Sequence, residues 1–321
     1  MLKNLLIPAD TLWYSVIAGA NQYQEDGTEY AWLDGKHYPV IQNVQTAEQF
    51  HLRQAECVND PAQLAFMTGH GVPEMFAWPA DAAVRGNEHA AYRYVFRNLP
   101  ASGQRSLTAR TEDRNITDDP ADAEAALRAA RQIVQDARLF YACGYAYYGW
   151  DPDYIYPSAD GVRLYYDFTG TADIIAKERP FPEAGRYKRL TDPAKTQYGA
   201  DLDYFALMTL LFYVLIGKLP YDGRLMDGVG RAAESEQEAW YEAYRKNCVF
   251  IFDPHDSRNS VGTFAHEKMF LSRWEALPAD VRTVFTQTFC GKQSGPNSLT
   301  VSPDVLMSRC AFFRGEPEHD Q

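Results

Sequence analysis

The chain has 321 residues, 46% of them hydrophobic and 14% aromatic, so it can bury one large core or two adjoining ones. Its 43 acidic and 31 basic residues give a formal net charge of −12, which argues against nucleic acid as the main partner. The five cysteines are scattered without a C-x-x-C pair, which favours reduced thiols in a cytoplasmic protein. The N-terminal apolar stretch is too short for a signal peptide, and the most apolar run, residues 205–216, is too short for a membrane span.

The first hundred residues have the pattern of a small sheet with one helix. Segments 28–33 and 36–41 have strand character and flank an Asp-Gly turn, which is a strong hairpin signal. Apolar residues at roughly helical spacing predict a helix over 46–57. Residues 74–98 return to short extended segments.

Beyond a polar linker, the chain is mostly helical. A helix is predicted over 121–143, because an Asp-Pro pair just before it can cap and start a helix. Two short strands, 154–156 and 162–166, flank a turn. An apolar helix is predicted over 201–217. These elements together indicate an α+β protein.

Three short motifs lie between residues 149 and 221. The first is GWDPDYIY from Gly149, the second is VRLYYDFT around Asp167, and the third runs from Asp203 to a glycine, Gly217, fourteen residues later. In this order and spacing they resemble the catalytic loop, the D-F-G segment and the buried helix of protein kinases. The WEALP segment that begins at Trp274 is similar to a segment of certain bacterial kinase-like proteins.

The resemblance implies the bilobal fold of a bacterial serine/threonine kinase-like protein. A small β-rich N-lobe would occupy residues 1–99, and a larger, mostly helical C-lobe residues 100–321.

The same resemblance assigns roles to single residues. Asp167 stands where kinases have their metal-binding aspartate, and would hold Mg²⁺ together with ATP. Asp203 would support the catalytic loop by accepting backbone hydrogen bonds. Gly149 occupies the position of the catalytic aspartate and has no side chain to accept a proton. Asp151 or Asp153, in the same loop, could take that role.

The other nucleotide-binding positions have also changed. Tyr154 replaces the asparagine that would hold a second metal ion, and a phenol is a poor ligand for Mg²⁺. Gln42 replaces the phosphate-binding lysine, with Lys36 as an alternative cation. The helix glutamate that would pair with this lysine is Glu56, or Glu48 in another register.

Compared with the kinase motifs, the residues that support the fold are thus kept, while those that carry out phosphoryl transfer have changed. This pattern predicts a pseudokinase, a protein-binding or regulatory module in bacterial signalling, with a protein partner and neither nucleic acid nor membrane. One alternative is an active, atypical ATP-dependent phosphotransferase that uses Asp167 with Asp151 or Asp153. A second alternative, based on the tyrosine and tryptophan residues between 145 and 156, is a binder of glycans or other small ligands.

Overall fold

The computed structural model describes residues 12–17, 21–32, 36–54, 72–85, 93–97, 106–107, 120–144, 150–158, 163–167, 179–180, 197–198, 200–229, 234–262, 264–290 and 301–314. The chain divides into two units. The first comprises Met1–Ser106 and Tyr154–Asp173, and the second comprises Leu107–Asp153 and Ile174–Gln321.

Six antiparallel strands of the first unit close into a barrel. They are β1 (Leu12–Ser15), β2 (Gln22–Ala31), β3 (His37–Asn43), β4 (Gln49–Gln54), β6 (Pro79–Arg85) and β7 (Arg93–Arg97). Their order is β1-β2-β3-β4-β7-β6, and β6 pairs back with β1 to complete the ring. The predicted hairpin is confirmed as the β2–β3 pair, in which Tyr30 lies opposite Tyr38.

Apolar side chains from all six strands form the core of the barrel. Alternate residues of a strand point to opposite faces, so Phe50 and Leu52 of β4 share one face and His51 and Arg53 the other. The core cluster consists of Trp13, Tyr23, Ile41, Phe50, Leu52, Ala83 and Val95. Because Phe50 and Leu52 belong to this cluster, His51 and Arg53 lie on the outer face of β4.

Strand β4 shows that the helix predicted over residues 46–57 is wrong. The chain turns after β3, passes through Ala47 with a left-handed φ of 59°, and then extends into β4, which pairs with both β3 and β7. A kinase-like N-lobe needed a helix here to carry Glu48 or Glu56. The bilobal kinase-like fold class is therefore wrong, and the chain is an α+β protein with a closed barrel followed by helices.

A second, three-stranded sheet packs against the barrel within the first unit. It consists of β5 (Phe76–Ala77), β8 (Ile155–Pro157) and β9 (Leu164–Asp167), in the order β5-β9-β8. The antiparallel β8–β9 pair confirms the two short strands expected from the sequence. An apolar cluster joins this sheet to the barrel through Trp32, Ala77, Tyr156 and Tyr165.

The second unit is mostly helical. The helices in its described residues are α1 (Pro120–Ala142), α2 (Ala200–Ile216), α3 (Glu234–Lys246), α4 (Lys268–Ala276), α5 (Ala279–Cys290), α6 (Pro303–Arg309) and α7 (Ala311–Arg314). Short 3-10 turns occupy Arg224–Met226, Ser257–Asn259 and Ala265–Glu267, and β10 (Arg179–Pro180) pairs with β11 (Gln197–Tyr198). Another 3-10 turn, Pro152–Tyr154, falls where the chain passes from the second unit to the first. Helices α1 and α2 confirm the two predicted helices.

Helix α2 lies in the core of the second unit because it is apolar on nearly every side. Its Phe212 ring meets the rings of Phe250, Phe285 and Phe289 at centroid distances of 5.4, 5.4 and 5.6 Å. In the part of the chain that the structure describes, no helix combines the length and the apolar composition that a membrane crossing requires.

Candidate functional site

Asp167, the residue predicted to bind Mg²⁺, is the last residue of β9 and is buried. The Arg53 guanidinium donates to both of its carboxylate oxygens, with Nη1–Oδ1 at 3.0 Å and Nη2–Oδ2 at 3.4 Å. The Trp32 indole Nε1 also donates to Oδ2, at 2.7 Å. The ion pair between Arg53 and Asp167 therefore ties β9 to the outer face of the barrel. A metal ion would have to displace Arg53 to take this carboxylate.

Aromatic rings surround the Arg53 guanidinium. Its Cζ lies 4.9 Å from the Trp32 ring centroid, 4.8 Å from that of Tyr38 and 5.3 Å from that of Phe96. His51, on the same face of β4, is fully buried and stacks on Phe96 at 5.6 Å. Cation–π contacts add to the ion pair in such a desolvated place, so we expect this cluster to stabilise the first unit.

The two carboxylates predicted as replacement catalytic groups lie beside one short 3-10 turn, Pro152–Tyr154. Asp151 is fully buried, and its Oδ1 accepts a hydrogen bond from the Asp153 backbone N–H at 3.0 Å. A carboxylate that bonds the backbone two residues later is a common way to start a turn. Asp153 and Tyr154 are half-buried. Asp151 thus fixes the local backbone, and a catalytic role for either carboxylate stays a prediction.

Asp203 reaches the same loop through two aromatic side chains. It is fully buried in α2, and its Oδ2 accepts a hydrogen bond from the Tyr141 hydroxyl at 2.8 Å. That hydroxyl accepts one from the Trp150 indole Nε1 at 2.7 Å. Burial, and then the charge of Asp203, raise the pKa of Tyr141 well above its ordinary value. Tyr141 therefore stays a neutral donor to the carboxylate, and the chain of bonds connects α1, α2 and the residue before Asp151.

The remaining residues predicted to bind a nucleotide either make other contacts or lie outside the residues that the structure describes. Gln42 is on β3, where its Nε2 donates to the Ala47 carbonyl at 2.9 Å and stabilises the turn before β4. Lys36 is exposed, and its backbone carbonyl accepts a hydrogen bond from the Trp32 N–H. Glu56 and Gly149 lie outside the described residues.

A buried carboxylate in the barrel, Asp81, was missed by sequence reasoning. Its Oδ1 accepts from the Ser15 hydroxyl at 2.8 Å and the Ala82 N–H at 2.7 Å, and its Oδ2 accepts from the Tyr23 hydroxyl at 2.7 Å. Asn21 adds a longer contact of 3.4 Å. The signal was an aspartate within the otherwise apolar run of β6. These donors satisfy the carboxylate and join strands β1, β2 and β6.

The second unit has an open cleft that the motifs did not predict. Its walls include Phe252 and Pro254 of the loop before α4, Trp274 of α4, and Arg282, Thr283 and Thr286 of α5. We call this feature the aromatic cleft. Its volume is about 490 Å³, within the range of small-ligand sites.

A stacked ring pair forms one wall of the aromatic cleft. The rings of Phe252 and Trp274 are nearly parallel, at an interplanar angle of 9° and a centroid distance of 4.6 Å. Both residues are half-buried, and the buried Phe250 packs behind Trp274 at a ring-centroid distance of 5.7 Å. The core therefore holds the pair from behind while its rings remain accessible from the cleft.

The loop beside the cleft is fixed by Asp253. Its Oδ1 accepts from the backbone N–H groups of His255 at 2.8 Å and Asp256 at 3.2 Å. Burial, followed by the charge of Asp253, raises the pKa of the Cys290 thiol to about 12. The Asp253 carboxylate is thus committed to the loop and to α5. Within the described ranges, no group of three or more His, Cys, Asp or Glu side chains could hold a metal ion.

Comparison with protein-family models finds no match, and comparison with curated proteins finds none either. The barrel and the absence of any kinase-family match together show that the resemblance to protein kinases was wrong. The kinase-like, pseudokinase and signalling assignments that depended on it are withdrawn.

Proposed function

We propose that this protein is a protein-binding module and that the aromatic cleft is its contact site. The half-buried Phe252–Trp274 stack that lines the cleft carries this proposal, since rings held from behind by the core can cover an inserted side chain. The net charge of −12 supports a protein partner over nucleic acid.

Exposed apolar residues extend beyond the cleft, which favours a partner larger than a small ligand. Leu271 precedes Trp274 by three residues on α4, so the two are neighbours on the helix surface, and Leu271 is 37% exposed. Phe264, at the 3-10 turn before α4, is 50% exposed. A protein segment with its side chain in the cleft would also cover Leu271.

Two further observations support a binding role in the cytoplasm. Asp151 and Asp167, two of the carboxylates predicted to act in chemistry, are buried and bonded to their own chain. Four cysteines, Cys143, Cys248, Cys290 and Cys310, are free thiols, as is usual in reducing compartments.

The proposal is tested by titrating the protein with N-acetylphenylalaninamide, a neutral mimic of one aromatic residue. At about 0.3 kcal/mol for each of roughly 15 heavy atoms, its dissociation constant should be on the order of 1 mM. Tryptophan indole N–H signals of uniformly ¹⁵N-labelled protein report on the site, because Trp274 is the tryptophan that lines the cleft. Its signal is assigned with Trp274→Phe.

We expect the Trp274 signal to shift with added amide while those of the buried Trp13, Trp32 and Trp150 stay in place. N-acetylalaninamide, which lacks the ring, is the control and should leave all of them unchanged. A Trp274 signal that does not move at several times the expected dissociation constant would refute the proposed site.

A further inference from the structure

We infer that the aromatic cleft selects a partner segment that carries a carboxylate beside its aromatic side chain, and that Arg282 binds this carboxylate. The inference deepens the proposed function and rests on it, because Arg282 and the Phe252–Trp274 stack line the same cavity.

Arg282 is a charged donor that the described part of the chain leaves unpaired. Its Nε atom is buried and has no hydrogen-bond partner. No carboxylate in the described residues lies within ion-pair distance of its guanidinium, whereas Arg53 of the first unit is fully paired with Asp167. A buried donor without an acceptor lowers stability, so this arginine is suited to an acceptor that arrives with a ligand.

The groups around Arg282 favour an anion over a cation. The nearest helical neighbour that lines the cleft on the next turn is Thr286, whose hydroxyl can donate a hydrogen bond. Gln287, also in the wall, accepts a hydrogen bond from the Arg309 guanidinium at 3.3 Å, which brings a second positive charge to this side. The Asp253 carboxylate is occupied by loop N–H groups. The ligand's carboxylate would lie at the positively charged side of the cleft, beside Arg282, while the ligand's ring contacts the Phe252–Trp274 stack.

Two ligands that differ only in their charge separate the contribution of the carboxylate to binding from that of the aromatic ring. N-acetylphenylalanine and N-acetylphenylalaninamide have the same ring and differ in that the first carries a carboxylate. We expect the acid to bind about tenfold more tightly than the amide, as for one charge-assisted hydrogen-bonded contact. N-acetyl-aspartyl-phenylalaninamide presents a side-chain carboxylate instead of a terminal one, and its affinity distinguishes an internal acidic residue from a chain terminus as the source.

Variants of Arg282 test the assignment. Arg282→Gln should abolish the preference, so that the acid binds about as weakly as the amide, while the affinity for the amide is unchanged. Arg128→Gln, which removes an exposed arginine from α1 of the same unit, controls for the change in net charge and should keep the tenfold preference. Arg282→Met should unfold at the same temperature as the natural chain or higher, since it removes the buried unpaired N–H.

The outcomes are distinct. Equal binding of acid and amide, with the Trp274 signal shifted by both, overturns the role of Arg282 and leaves the proposed function standing. Failure of both ligands to shift Trp274 overturns the proposed function and this inference together. A tenfold preference that survives Arg282→Gln assigns the carboxylate to another cation and overturns the inference. A clear loss of thermal stability in Arg282→Met, with ligand preference unchanged in Arg282→Gln, makes Arg282 a folding residue.

Discussion

The buried Arg53–Asp167 pair is expected to be among the costliest contacts to break in the first unit. The two side chains are 8% and 2% exposed, so neither charge has water to replace its partner. Asp167→Asn keeps the shape and an acceptor for Trp32 but removes the charge. It leaves a buried guanidinium unpaired, which costs about 3–5 kcal/mol. The ring contacts of Arg53 are present before and after the change, so they do not reduce this cost.

The pair is tested with a double-mutant cycle. Arg53→Met should cost a similar amount, because it leaves the buried Asp167 carboxylate without its charged partner. The double variant leaves neither charge buried without a partner, so it should lower the free energy of unfolding by only about 1–3 kcal/mol. The coupling between the two sites is then at least about 3 kcal/mol. Urea unfolding followed by far-UV circular dichroism gives all four free energies.

An exposed pair of the same barrel is the control. Glu48 and Arg97 lie 3.8 Å apart with 53% and 69% of their side chains exposed, so Glu48→Gln should cost no more than about 0.5 kcal/mol. Single variants of Arg53 and Asp167 that each cost under about 1 kcal/mol, or whose costs simply add, would show that the pair does not hold β9 to the barrel.

Three further predictions concern buried groups. Burial, followed by the hydrogen bond to Asp81, raises the pKa of Tyr23 above its ordinary 10.0, so the folded state keeps a proton that the unfolded chain loses. Stability should therefore fall as the pH rises above 10.0, and Tyr23→Phe should make that fall shallower in urea unfolding; an unchanged slope would contradict this. Burial raises the pKa of both Cys290 and Cys310 to about 12, so iodoacetamide near neutral pH should alkylate them far more slowly than in the unfolded chain; peptide mass spectrometry showing equal rates would count against it. Asn259→Ala removes hydrogen bonds to two buried carbonyls and one backbone N–H and should cost roughly 2–4 kcal/mol in urea unfolding, whereas a cost below about 1 kcal/mol would mean that the loop holds without them.

Elements defined by local pattern were predictable from the sequence. Helices α1 and α2 follow from apolar spacing and composition, and the β2–β3 and β8–β9 pairs from alternation around short turns. The helix expected over 46–57 failed because both faces of β4 are buried, with Phe50 in the barrel core and Arg53 beside Asp167. Such a strand lacks the polar alternation that distinguishes it from a helix.

The kinase-like interpretation failed for a related reason. Short motifs such as those at Asp167 and Asp203 fix residue order, yet barrel closure depends on the β4–β7 and β1–β6 pairings between distant segments. The resemblance to kinases singled out Asp167 and Asp203, but not the partners that bind them, because Arg53 and Tyr141 lie far away along the chain.

The sequence by itself determined the α+β class and the two long helices. Tertiary structure decided the rest. The aromatic cleft brings together a loop and two helices, so Phe252, Trp274 and Arg282 become one site only when the helices pack. Trp274 was noticed as part of a motif, whereas Arg282 gave no signal, because an unpaired charge is a property of its surroundings and not of its place in the sequence.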